Sequence, residues 1–178
     1  MSTPATIIVK VRPEDVGKRR KCDTSKINLR TRQMAFDMWK AFGHSDEQIN
    51  DILENTDKLP DMDFLNNTIK SVKLGQFVGV YHHWDGDPRS LGKELRKRYK
   101  DYDSALNLVL AGDYSTILDG SVPYAALPKR VNIDATWKES KPIVADELGD
   151  CQINYQYLFD NGRWYYREYG AKKFKALK

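Results

Sequence analysis

A strand that must run directly into a helix constrains this chain more than any other feature. Phe77-Val78-Gly79-Val80-Tyr81-His82-His83 is rich in β-branched and aromatic residues and has strand length. Side chains alternate along a strand, so Val78, Val80 and His82 share one face, with Phe77, Gly79, Tyr81 and His83 on the other. Asp85-Gly86 follows as a turn, where glycine takes positive φ without steric cost. Asp87-Pro88 then opens a helix, Asp87 as N-cap and Pro88 as the first helical residue. Leu91, Leu95 and Tyr99 recur at four-residue spacing and form its inward side. Arg89, Lys93 and Lys97 lie roughly opposite, as a basic stripe.

The length of 178 residues corresponds to one domain, in which residues 1–70 form a portion that could separate from the rest. Hydrophobic residues make up 40% and aromatic residues 11%, which is a globular rather than a disordered composition. No apolar run approaches the ~20 residues of a membrane span, and the N-terminus lacks the apolar stretch of a signal peptide. A cytoplasmic protein is therefore expected. Cys22 and Cys151 fit no metal spacing, and a reduced pair is expected, although a disulfide between them stays open. The net charge of +4 is unevenly spread. One basic cluster runs from Lys18 to Arg32, a second from Arg89 to Lys100, and a third from Lys172 to Lys178. Such clusters attract nucleotides, nucleic acid or acidic proteins, and each taken alone also fits a solvated surface.

Around the central unit, Thr6–Val11 has strand composition, and Gly17–Arg30 forms a polar loop or short strand. Met34, Met38 and Phe42, with Ala35 and Trp39 beside them, mark the apolar face of a helix ended by Gly43. Ser45 and Gln48 form a capping box for a second helix that buries Ile49, Ile52 and Leu53. Pro60 and Asp61–Asp63 suggest a turn. Asp101 or Asp103 caps a further helix with Leu106, Val109 and Leu110 inward and Gly112 at its end. Tyr114–Pro128 suggests loop, Arg130–Trp137 a strand, and Lys138–Gly149 an irregular polar segment. Ile153–Phe159 and Trp164–Tyr169 flank the turn Asp160-Asn161-Gly162, an aromatic hairpin expected beside the central strand. The expected class is α+β, a mainly antiparallel sheet with this C-terminal hairpin and several packed helices.

The chemistry-bearing residues concentrate at the end of the central strand. His82, His83, Asp85 and Asp87 are metal-ligand types, yet adjacent strand histidines diverge, so no metal site is assigned. Asp85 beside a histidine suits general acid–base work. No nucleophile elbow, activated cysteine or phosphate-cradling glycine loop accompanies them, so no catalytic residue is assigned. The carboxylates of Asp85 and Asp87 would repel an anion at the helix tip, which moves an expected phosphate to the Arg89, Lys93, Lys97 stripe. Tyr81 or Trp84 could stack on a base there. A plainer role for Trp84 is packing against the hairpin aromatics, and for the histidines one core position and one turn-capping hydrogen bond.

Val80-Tyr81-His82-His83-Trp84-Asp85-Gly86-Asp87-Pro88, with Gly92-Lys93 and Leu95, resembles a group of uncharacterised phage and bacterial proteins. Their pattern is a tyrosine, a histidine-tryptophan-aspartate-glycine-tyrosine-proline core, a glycine soon after, and a leucine-rich helix. The likeness continues through Tyr99, Asp101 and Tyr102 to Gly112-Asp113. It returns at Tyr157-Leu158-Phe159 and Gly162-Arg163-Trp164-Tyr165. Asp87 replaces the aromatic residue that precedes proline in the pattern, which suits a helix cap. The resemblance implies a phage or prophage accessory protein, a class that acts by binding host factors, including defence enzymes and their nucleotide signals. The expected function is non-catalytic binding of a host macromolecule or a phosphorylated, nucleotide-like ligand, without cofactor. The candidate ligand-binding residues are Tyr81, His82, His83, Trp84, Asp85, Arg89, Lys93 and Lys97. Two alternatives are a metal-assisted hydrolase using His82 or His83 with Asp85, and a nucleic-acid-binding protein. In a third, the motif is only a packing device.

Overall fold

The first strand of the chain lies between the central strand and the last hairpin. A computed structural model describes residues 3–27, 32–55, 62–118, 122–123 and 141–178. Its strands are β1 (Ala5–Lys10), β2 (Arg19–Arg20), β3 (Val72–Lys73), β4 (Phe77–His82), β5 (Tyr114–Thr116), β6 (Val122–Pro123), β7 (Ile143–Ala145), β8 (Tyr155–Asp160), β9 (Arg163–Glu168) and β10 (Lys175–Ala176). Its helices are α1 (Arg32–Ala41), α2 (Asp46–Asn55), α3 (Met62–Thr68), α4 (Lys93–Arg98) and α5 (Tyr102–Leu110). The main sheet has the order β10-β9-β8-β1-β4-β5-β6, and β7 pairs with the other half of β4. Most ladders are antiparallel, and β1–β8 and β4–β5 are parallel. The class is α+β.

The strand patterns follow the burial. In β4, Val78, Val80 and His82 are buried while Phe77, Gly79 and Tyr81 are half-buried, as alternation requires. Ala5, Ile7 and Val9 of β1 lie in register with them, opposite His82, Val80 and Val78. Phe159, Tyr157 and Trp164 extend the same buried face across the hairpin. Helix α5 covers that face with Ala105, Leu106, Leu108 and Val109. Asp101 caps it, accepting from the Ser104 amide at 2.8 Å, while the Ser104 hydroxyl meets the Asp101 amide at 3.4 Å. Leu91 and Leu95 are fully buried and Tyr99 packs at the edge, as their spacing predicts.

Several expectations change. The hairpin does not lie beside β4, because β8 pairs with β1 in parallel and β1 intervenes. Phe42 is 72% exposed, since α1 stops at Ala41 and the residue falls past the helical face. The side chains of Met34, Ala35 and Met38 lie outside the described set. The capping box of α2 is present, with Ser45 and Gln48 bonded reciprocally at 3.0 and 3.3 Å. Asp63 sits in the first turn of α3 rather than in a turn, and Leu65 and Ile69 bury that segment. Ile143–Ala145 is a strand, because the edge of β4 is open to pairing there. Pro60, Asp61 and Arg130–Trp137 lie outside the described residues. Cys22 and Cys151 are both free and buried, Cys22 facing the Asn107 carbonyl and Cys151 that of Ile153.

Candidate anion-binding cleft and the strand-end motif

The strand-end motif divides between two faces of the sheet. His82 is 0% exposed, and its Nε2 accepts the Ile117 amide at 3.1 Å. That hydrogen bond assigns the proton to Nδ1, which has no partner among the described residues. Burial is the main cause that holds the imidazole neutral, lowering its pKa to about 3, with the neighbouring His83 adding to the effect. His82 is thus a core group and not a ligand-facing one.

On the opposite face, His83 Nδ1 lies 3.0 Å from the Tyr81 hydroxyl. Its ring meets Trp84 edge-on at 4.5 Å between centroids. The Asp113 carboxylate accepts the Tyr81 amide at 2.7 Å and fixes the strand end. Partial burial raises the Tyr81 hydroxyl pKa, and the Asp113 charge raises it further. Trp84 is 45% exposed and packs on His83, not on the hairpin aromatics as expected from composition. Trp164 fills that place, edge-on to Phe159 at 5.1 Å, with its indole N–H donating to the Tyr99 carbonyl at 2.7 Å.

The turn works differently from the expectation. Asp85 takes the positive φ, at 56°, and Gly86 does not. Gly86 is required for close approach: a Cβ there would stand 2.4 Å from the Thr3 carbonyl oxygen and 2.8 Å from the Ala5 Cβ. The Gly86 amide donates to that same oxygen at 2.7 Å, and the Tyr157 hydroxyl donates to the Gly86 carbonyl at 2.8 Å. Asp87 caps the next segment as predicted, accepting from the Arg89 and Ser90 amides at 2.9 and 3.2 Å. Its first turn, Pro88–Gly92, is a π-turn that passes into α4. Asp85 is exposed at the turn, apart from the buried His82. Among the described residues no three histidine, cysteine or acidic side chains group as metal ligands.

Beside this helix lies a cleft of about 760 Å³, lined by Pro88, Arg89, Lys93, Arg96 and Tyr166 and by the C-terminal run from Lys175 to Lys178. Leu177 builds its floor. A Cβ on Gly92 would come 2.9 Å from a Leu177 methyl, and the Leu177 amide donates to the Trp164 carbonyl at 3.0 Å. Strand β10, paired to β9, thereby places Lys175 and Lys178 across from Arg89, Lys93 and Arg96. Among the described residues no aspartate or glutamate lines the cleft. Of the nearby acids, Glu94 pairs with Arg98 within the helix, and Glu168 pairs at 3.8 Å with Lys175, itself one of the cleft cations. The first basic cluster differs, because Lys18 and Arg20 both pair with the buried Asp15 at 3.2 Å. Those two cations hold the Asp15 carboxyl below its usual range against the opposing effect of its burial.

The candidate residues therefore fall into separate places. Arg89 and Lys93 line the cleft, and Tyr81, His83 and Trp84 form a different cluster that does not. Lys97 is exposed but off the cleft, and Arg96 takes its place. Lys175 and Lys178 stood out only as part of the C-terminal basic cluster, and Tyr166 only as a hairpin residue, because their approach to the helix depends on sheet pairing. Among the described residues no helix is long and apolar enough to cross a membrane. No protein-family model, curated protein or solved structure matches the chain.

Proposed function

We propose that this protein is a non-catalytic binder of a phosphorylated ligand, held in the cleft between the helix that begins at Pro88 and strand β10. One observation carries the proposal: five cationic side chains, of which Lys175 pairs with Glu168, line a cleft that has no aspartate or glutamate among its described lining residues. Convergent cations favour phosphate oxygens, and the arginine forks can bind them in pairs. Tyr166 supplies a ring beside them for a nucleotide base. The likeness of the Tyr81–Pro88 motif to phage proteins supports setting this binder among phage accessory proteins that act on a host macromolecule or a host nucleotide signal, with counteraction of host defence as the purpose.

Isothermal titration with ATP and with pyrophosphate tests the proposal. Arg89→Ala combined with Lys93→Ala should weaken binding at least tenfold, about 1.4 kcal/mol. Trp84→Ala should leave it unchanged, since Trp84 does not line the cleft. Equal affinity of the Arg89/Lys93 double variant and the parent would remove the cleft from the function.

A further inference from the structure

The cleft does not end where a single phosphate group would. A second groove, of about 340 Å³, shares Arg96, Ala176 and Leu177 with it and adds Lys100 and Arg163. Among the described residues no aspartate or glutamate lines this groove either. Beyond Lys100 a third groove follows, and there the character changes. Lys10 pairs with Asp160 at 3.2 Å, and the Arg12 guanidinium lies 4.1 Å above the Tyr102 ring. The cation-lined path, in which Lys175 alone among the described side chains pairs with a carboxylate, thus runs from Arg89 to Lys100 and stops.

We infer that the ligand is a single-stranded nucleic acid whose backbone follows this path through both grooves. The inference rests on the anion-binding proposal above and names its ligand. Arg89 stands in the π-turn, Lys93 and Arg96 on α4, and Lys100 just past the Tyr99 cap, and Arg96 lines both grooves, so the cations continue from one groove into the next. A repeating row of cations matches a repeating row of phosphates, whereas a mononucleotide would use only one end of it. The row lies in a concave channel between a helix and a strand. That shape admits one chain, while a duplex is read by an element that projects into its groove. Tyr166 in the channel wall gives a base a surface to stack on, with its ring already near-parallel to that of Tyr157 at 6.3 Å. Trp164 lines the second groove but is buried and hydrogen-bonded, so it holds the channel rather than the ligand.

Fluorescence polarisation with a labelled oligothymidylate of about 12 nucleotides, on the full chain, tests this. The oligomer should bind at least tenfold tighter than pyrophosphate or ATP. With about five phosphates neutralised, log K should fall against log salt with a slope of about −3.5, a loss of roughly a hundredfold between 50 and 200 mM. Lys100 and Arg163 are exposed and line the second groove but not the first. Lys100→Glu with Arg163→Glu should lower oligomer affinity at least tenfold, keep the parent melting curve, and keep pyrophosphate affinity within twofold. An oligomer that binds no tighter than ATP would overturn the extended path and leave the anion-binding proposal standing. Equal affinity for a poly-glutamate peptide of matched charge would overturn the nucleic-acid assignment. Binding of none of these probes would overturn both proposals.

Discussion

Replacing Gly86 by alanine separates two reasons for a glycine in a turn. The new Cβ would sit 2.4 Å from the Thr3 carbonyl oxygen, about 1 Å inside van der Waals contact. Both nearest partners belong to the chain leading into and forming β1, so neither can swing aside as a flexible side chain would. Relieving the overlap means moving that segment outward, which stretches the 2.7 Å hydrogen bond from the Gly86 amide and the 2.8 Å bond from the Tyr157 hydroxyl. Overpacking of this kind costs about 1–3 kcal/mol, and each weakened hydrogen bond about 1 more. A total of roughly 3–5 kcal/mol would lower Tm by about 6–20 °C for a chain of this size. The comparison variant is Gly162→Ala in the hairpin turn, where φ is 74° and no atom lies within 4 Å of the added carbon. There only left-handed backbone strain acts, and the expected cost is about 1 kcal/mol. Urea unfolding followed by circular dichroism measures both. If Gly86→Ala lost no more than Gly162→Ala, close approach to Thr3 would not be what requires the glycine.

Three further outcomes follow from burial and contacts. His82, with its pKa lowered to about 3 when folded, binds fewer protons than in the unfolded chain. Its contribution to stability is complete above pH 6.5 and is lost as pH falls towards 3, at up to about 1.4 kcal/mol per unit. His82→Leu should flatten that part of the stability–pH curve in urea titrations, and parallel curves for variant and parent would contradict it. Burial pushes the Cys22 thiol up to about 12, so thiol-directed disulfide reagent at pH 8 should label it only on unfolding, and rapid native labelling would count against its buried position. Asp101→Ala removes the capping box of α5 and should cost about 1 kcal/mol, a loss that Asp101→Asn largely restores; no change in either variant would mean that the cap is not needed.

Local signals in the residues were legible, and distant pairings were not. Asp87-Pro88, Ser45 with Gln48, and Asp101 each mark a helix start because a cap acts within three residues. The turn at Asn161-Gly162 carries its own backbone preference in the same way. No comparable rule places β1 between β4 and β8, since a parallel ladder leaves no turn to reveal it. The candidate site divides along the same line. Arg89 and Lys93 follow from helix periodicity, while Lys175 and Lys178 reach the cleft only through β10 and Leu177. Trp84 was misplaced because composition shows an aromatic partner without saying which one. Trp164 reaches the hairpin core, and Trp84 meets only His83 among the ring contacts of the described residues.

The place of β1 in the sheet also sets an order of assembly. Lys10 and Asp160, which close one end of its ladder with β8, are 150 positions apart. During synthesis β1 and β4 can pair first, antiparallel and separated by far less chain. One edge of β1 then waits, with unpaired backbone groups, until the aromatic hairpin has left the ribosome. Long-range parallel pairing is slow, so this step should limit the folding rate. The interval in between exposes the β-branched segment Thr6–Val9, a sequence apt to pair with other chains. Truncation before Tyr155 would make that interval permanent, and the shortened chain should form aggregates.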